Sequence, residues 1–204
     1  MVFIEYGLTS DSLYLGERMK GNVFKPCLRT IPFSQISGAL NARFGRSDFK
    51  AVGVFDGMSE FNRINYLTYS PRDRVFGTSK IPLQVEFLSN VSAKVFIFEN
   101  EGTKILPAEF EIFLGGLKSK GFGRCFLRQQ KRVDNLSPLR GTLNVRIPVE
   151  EKEYFNVRVI NDSPVYGYLF KPIPGTFTGE YVLSLFEGSV VSAPKFLLKG
   201  VDDG

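Results

Sequence analysis

Apolar and polar residues alternate with a period of two, or give way to runs of β-forming residues, in several stretches of this chain. Val2 to Tyr6, Ala51 to Phe55, Ile64 to Tyr69, Leu83 to Leu88 and Ala93 to Phe98 all have this pattern or are dense in β-branched and aromatic residues, which predicts strands. Ser89-Asn90-Val91-Ser92 lies between the last two as a hairpin turn, and Thr9 to Gly21 forms a polar, glycine-bearing connection after the first. Helical spacing appears in Phe33 to Phe44, where Ile36, Leu40 and Phe44 share a face, Ser34 is placed to cap the start and Gly45 to stop the end. A second helix is predicted over Ala108 to Leu114, with Pro107 near its first turn and Gly115-Gly116 after it. Arg124 to Val133 then returns to a strand.

The order strand, helix, strands, helix, strand is the βαββαβ pattern of a ferredoxin-like (RRM-like) α+β fold with extra strands. It occupies residues 1–136. From about Ser137 the pattern is β throughout: Leu143 to Ile147, Tyr154 to Ile160, Val165 to Phe170 and Glu180 to Phe186, separated by proline- and glycine-bearing turns. Residues 137–204 therefore read as a smaller β-rich C-terminal domain or extension.

Composition narrows the function more than the fold. The chain has 204 residues, 43% of them hydrophobic and 23% charged, which is ordinary for a globular protein. It has 20 Phe, 8 Tyr, no Trp and a net charge of +5, which leans towards an anionic partner. It has no histidine. That removes Ser-His and Cys-His nucleophile pairs, the commonest general base near neutral pH, and the imidazole of most transition-metal sites. The two cysteines, Cys27 and Cys125, form no CxxC pair, so no metal site is expected, and they are read as reduced and buried. No cofactor motif is present. The first residues lack the basic and apolar regions of a secretory signal, and no apolar run approaches the roughly 18 residues of a membrane span. The expectation is a soluble, cytoplasmic protein.

The most informative segment is Gly115-Gly116-Leu117-Lys118-Ser119-Lys120-Gly121-Phe122-Gly123-Arg124. Four glycines permit positive φ and close backbone approach, and successive N–H groups in such turns cradle anions. Lys118, Lys120 and Arg124 add charge, and Arg128, Lys131 and Arg132 continue it, with no acidic residue between Ile112 and Val133. That asymmetry suits a phosphate-tracking surface. Phe122 either stacks on a base or packs inward. An ordinary solvated turn is the alternative. The segment is neither a Walker loop, because Gly123 is followed by Arg124-Cys125, nor a dinucleotide-binding fingerprint, because it follows a helix and enters a strand.

These residues resemble the RAMP superfamily of CRISPR-associated proteins. The loop has the form GGxxxxGFGR between a second helix and the last strand of a ferredoxin-like unit, and Thr30-Ile31-Pro32-Phe33-Ser34-Gln35-Ile36-Ser37-Gly38-Ala39-Leu40 resembles the segment opening the first helix of many such subunits. Ser10-Asp11-Ser12-Leu13-Tyr14-Leu15-Gly16 resembles the stretch after their first strand. Together the matches span roughly the first 135 residues. The resemblance implies a non-catalytic subunit that holds CRISPR RNA among other effector subunits, most like the subunit that caps the complex and grips the 5′ tag in type III-like effectors. It implies RNA contact at Gly115, Gly116, Lys118, Ser119, Lys120, Gly121, Phe122, Gly123, Arg124 and Arg128. Ser34, Gln35 and Ser37 of the helix segment approach the RNA or support the core. Arg18 and Lys20 contact phosphate or belong to a solvated loop.

A further cluster, Arg63, Arg72, Arg74 and Lys80 with Tyr66, Tyr69 and Phe76, mixes cations with aromatics, so Arg72 and Arg74 are RNA-contact candidates, with an ordinary loop as the alternative. Three other functions stay open: an endoribonuclease processing CRISPR RNA without histidine, through tyrosine and lysine, a guide-coating backbone subunit, and a scaffold. Acidic candidates for catalysis are sparse, since Glu109 and Glu111 would point apart on a helix.

Overall fold

The computed structural model describes residues 1–16, 23–57, 61–73, 75–134, 136–160, 164–173 and 178–199. Fourteen strands and one α-helix run along these residues. The first half holds β1 (Phe3–Leu13), β2 (Phe24–Lys25), α1 (Phe33–Phe44), β3 (Ala51–Phe55), β4 (Arg63–Tyr69), β5 (Leu83–Phe98), β6 (Glu109–Phe113) and β7 (Arg124–Val133). The second half holds β8 (Leu139–Leu143), β9 (Ile147–Pro148), β10 (Arg158–Val159), β11 (Tyr166–Pro172), β12 (Gly179–Leu185), β13 (Val190–Ala193) and β14 (Leu198–Lys199). The α+β class stands, with strands far outweighing helix.

One sheet takes all seven strands of the first half in the order β2-β5-β1-β7-β6, with β3 and β4 also paired to β5. β1 is antiparallel to both neighbours, from Phe3 opposite Phe98 to Leu13 opposite Leu88 on one side and against β7 on the other. It runs well past Tyr6, through the polar Ser10-Asp11-Ser12, because β5 continues as its ladder partner to Leu13, while the β7 ladder ends at Thr9. The hairpin expected at Ser89 to Ser92 is one continuous strand instead. Asn90 takes a positive φ of 51° at the point where the outer partner changes from β4 to β3, so a local kink replaces a reversal.

The second helix is absent. Glu109-Phe110-Glu111-Ile112-Phe113 is strand β6, paired residue for residue with β7. Phe110 and Ile112 are buried while Glu109 and Phe113 are exposed, a strict period of two over a segment too short to repay helix nucleation. The glycine-rich segment therefore joins two antiparallel strands rather than a helix and a strand. α1 has the expected limits, but Pro32 is its N-cap residue and no side chain caps it, so Ser34 sits inside the first turn. Gly45 ends it at a φ of +63°. Among the described residues no helix is long and apolar enough to cross a membrane.

Successive β1 residues feed two apolar clusters. Ile4, Tyr6 and Leu8 pack with Ile36 and Leu40 of α1, Ile112 and Leu127. Phe3, Val52 and Phe96 point to the opposite face and pack with Leu143, Val145, Phe155, Val191 and Leu197. Phe3 stacks on Phe155 with ring centroids 5.6 Å apart. The C-terminal stretch thus shares its core with the sheet, and each large side chain buried there contributes about 2 kcal/mol. Tyr154 to Phe155, expected as the start of a strand, instead close a 3-10 turn over Val149–Phe155. Cys27 and Cys125 are free and buried, and burial pushes both thiols up to about 11.

Candidate nucleic-acid interface

The glycine-rich segment folds back on the protein. Gly115 and Gly123 have φ of +76° and +84°, and a side chain on either would meet backbone: Tyr14 O at 2.2 Å for Gly115, Leu114 O at 2.1 Å for Gly123. These glycines serve chain-on-chain packing. The N–H groups of Gly116 and Gly123 donate to Tyr14 O and Ser12 O, both at 2.9 Å. Those of Lys120, Gly121 and Phe122 go to carbonyls of Leu117 and Lys118. Five N–H groups of the expected anion cradle are therefore occupied. Phe122 takes the inward alternative, buried and edge-on to Phe87 at 4.9 Å.

The segment offers its side chains to solvent instead. Lys118, Ser119 and Lys120 form an exposed 3-10 turn. Lys120 Nζ lies 4.5 Å from the Tyr69 ring centroid. Neither lysine is in an ion pair with the described residues. Gly121 closes the turn, exposed, at a φ of +87°.

The strand cations are arranged differently. Arg124, Phe126 and Arg128 alternate with the buried Cys125 and Leu127, so they lie on the face of the sheet turned away from α1. Arg124 is held by both oxygens of Glu111, at 2.7 and 3.2 Å, and Arg128 by Glu109 at 2.6 Å. Lys131 pairs with Glu5 and Arg132 with Glu99. Because β6 is a strand, Glu109 and Glu111 share a face and oppose the arginines. The acid-free interval read along the chain is filled from neighbouring strands.

The sequence motifs meet on the other face. A groove of about 620 Å³ is lined by Gly115, Gly116 and Lys118 of the loop and by Ser34, Gln35 and Gly38 of α1. No carboxylate is among its lining residues, which include two cations, Lys118 and Arg146. Gly38 has open space where a side chain would stand, with no heavy atom within 4 Å. A glycine inside a helix costs about 1 kcal/mol relative to alanine, and packing does not require it here. Gln35 Oε1 is buried without a hydrogen-bond partner among the described residues. Ser37 is turned away: it is buried, its Oγ donates to Ala51 O, and it accepts from Ala51 N at 2.9 Å, tying α1 to β3.

The far wall comes from the C-terminal stretch. Tyr168, Phe170 and Tyr181 project from the β11–β12 hairpin, where Phe170 is opposite Tyr181. Arg146, largely buried, is held by both oxygens of Glu187 at 2.7 Å and lies 4.3 Å from the Phe186 ring. Its carbonyl accepts the Phe33 N–H at 3.0 Å, locking this wall to the start of α1. Sequence reasoning assigned nothing here, although Tyr166, Tyr168 and Phe170 at alternate positions were a visible signal. Arg146 carried none.

Arg72 lies outside the groove, at the tip of the arm beyond β4, where its Nε donates to Gly77 O at 3.2 Å. Asp73 organises that tip: the Phe76 and Val75 N–H groups, followed by Lys80, hold its carboxyl below the usual range. Arg18, Lys20 and Arg74 lie outside the described residues.

No family model matches the chain, and no curated protein matches it. Solved structures do. A chain of type III-B Cmr-beta bound to cognate target RNA and AMPPnP superposes with a TM-score of 0.59 at 9% identity, covering 94% of this chain and 86% of that one. A chain of Cmr-beta bound to cognate target RNA gives 0.56 at 12%, covering 92% and 86%. The chain shares its fold with these Cmr-beta chains. A chain of a CRISPR RNA-guided surveillance complex gives 0.50 at 16%, covering 97% and 93%. At these identities the likeness is one of fold, and it spans both halves of the molecule.

Proposed function

We propose that the protein is a non-catalytic, RNA-binding subunit of a CRISPR effector ribonucleoprotein, of the RAMP type, and that it grips guide RNA in the groove between α1, the glycine-rich loop and the β11–β12 hairpin. The observation that carries this reading is the convergence itself. Two segments far apart in sequence, each singled out for RNA contact, line one groove that has cations, no carboxylate and a small-residue floor. Lys118 and Lys120 supply charge to phosphates, which dominates affinity for a single strand, and the aromatic wall supplies faces for bases. The fold likeness to chains of RNA-guided complexes is consistent with this partner.

The sheet order β7-β1-β5 with β3 and β4 outside β5 supports a ferredoxin-like unit whose second helix has been replaced by β6. The capping role, with the groove on the 5′ tag, is the form of the proposal that suits a chain with a C-terminal wall packed onto its RNA-facing helix. The absence of histidine from the sequence supports a holding function over a cutting one.

Co-expression with neighbouring effector subunits and a CRISPR array, followed by sequencing of co-purified RNA, tests the reading. Guide RNAs sharing one 5′ end are expected. Bulk cellular RNA, or none, contradicts it. Cleavage of repeat RNA at one position in EDTA, lost on changing a single tyrosine or lysine, would overturn the non-catalytic assignment.

A further inference from the structure

The β11–β12 hairpin carries more aromatic surface than the groove needs. Tyr166 and Tyr168 occupy alternate positions of β11, and Tyr181 and Leu183 lie across from Phe170 and Tyr168 on β12, so all share one face. Their exposures are 50% for Tyr166, 66% for Tyr168, 59% for Tyr181 and 44% for Leu183. Same-face residues on a strand stand about 7 Å apart. The two glutamates around Lys171, Glu150 and Glu180, are drawn towards that lysine, and Lys171 and Glu180 belong to the opposite face of the hairpin.

We infer that this tyrosine face is a stacking platform for consecutive bases of single-stranded RNA leaving the groove. The inference rests on the RNA-binding reading above and deepens it: the hairpin wall of the groove, continued by Tyr166 and Leu183 outside it, becomes one ordered stacking surface. Three observations favour RNA as the occupant. The platform is continuous with the groove wall through Tyr168 and Tyr181. The opposite lip is cationic, through Lys118, and no lining residue is acidic. The exposed rings are tyrosines, whose hydroxyls stay hydrated in the free protein while their faces remain open to bases of any sequence. Stacking is sequence-tolerant and nearly independent of salt, whereas phosphate contacts carry a salt slope.

That difference makes the test. Binding of the full chain to a labelled single-stranded RNA of mixed sequence is measured across a salt series. Replacing Tyr168→Ala and Tyr181→Ala together is expected to weaken binding at least about tenfold with an unchanged log–log salt slope. Tyr168→Phe with Tyr181→Phe retains parental affinity, because the ring face suffices. Lys118→Glu with Lys120→Glu lowers both affinity and slope.

The platform is overturned if the alanine pair binds as the parent does while the lysine pair loses RNA; the groove reading then stands alone. It is overturned equally if the phenylalanine pair falls as far as the alanine pair, or if the alanine pair keeps RNA and loses a neighbouring protein subunit. A parent that binds no RNA at low salt, or a lysine pair that binds as the parent does, removes the groove reading as well.

Discussion

Lys118 lines an open groove and Lys120 stands two residues on in the same exposed turn, over the Tyr69 ring, while Arg124 and Arg128 lie against glutamates on the opposite face of the same sheet. The two pairs belong to one basic run and one hairpin. What separates them is the neighbour each meets. The turn that carries the lysines is paired in no strand ladder, so no carboxylate is in register with them. The strand that carries the arginines lies beside β6, whose alternate residues are acidic. A paired, exposed arginine adds little to the fold, because solvent screens the pair, and little to a distant phosphate. An unpaired lysine at a groove releases counterions when RNA arrives.

A similar contrast divides the glycines. Gly123 is required by its conformation and by Leu114 O beside it, whereas Gly38 has space above it and a helix around it. Gly123→Ala is expected to destabilise the protein by about 3 kcal/mol, from left-handed strain and a backbone clash, measured by denaturant unfolding. Gly38→Ala goes the other way, stabilising by about 1 kcal/mol. If both alanines destabilise alike, the separation between structural and groove glycines fails.

Charge reversal addresses the cations. Lys118→Glu with Lys120→Glu is expected to lower RNA affinity about a hundredfold and the single-strand salt slope by roughly 1.4, with stability within about 0.5 kcal/mol of the parent. A leucine at position 38 is a smaller, steric perturbation: Gly38→Leu projects into the groove and weakens RNA binding about tenfold while the melting temperature does not fall, since the helix gains a better helix former. The smallest effect belongs to the strand. Arg124→Gln with Arg128→Gln should change RNA affinity less than about threefold and leave the melting temperature close to the parent's, since both ion pairs are solvent-screened. A larger loss of RNA from this pair than from the lysines would invert the comparison.

Much of the fold is legible in the sequence. α1 and strands β3 and β7 fall where periodicity put them, because their apolar spacing has one interpretation. The segment Ala108 to Leu114 is ambiguous, because Pro107 and the following glycines punctuate a helix and a strand equally well, and only its alternation, over five residues, marks the strand. The neutralisation of Arg124 and Arg128 follows from that strand, since on a helix Glu109 and Glu111 would not face one strand together. The inward turn of Phe122 and the occupied loop N–H groups depend on β1 and β5, distant in sequence, and no local pattern records them. Helix residues Ser34 and Gln35 line the groove beside the loop, while the aromatic wall has no signature in the sequence beyond that of a strand, since alternate tyrosines suit a strand whether or not their shared face is used.

Cross-linking tests the central claim most directly. The chain bound to single-stranded RNA is irradiated at short wavelength, digested, and its nucleotide-bearing peptides are located by mass spectrometry. The account predicts adducts on the peptides holding Lys118 to Lys120, Tyr168 and Tyr181. Adducts confined to Arg124 through Arg132, with Phe126 as the modified ring and none on the groove peptides, would contradict it.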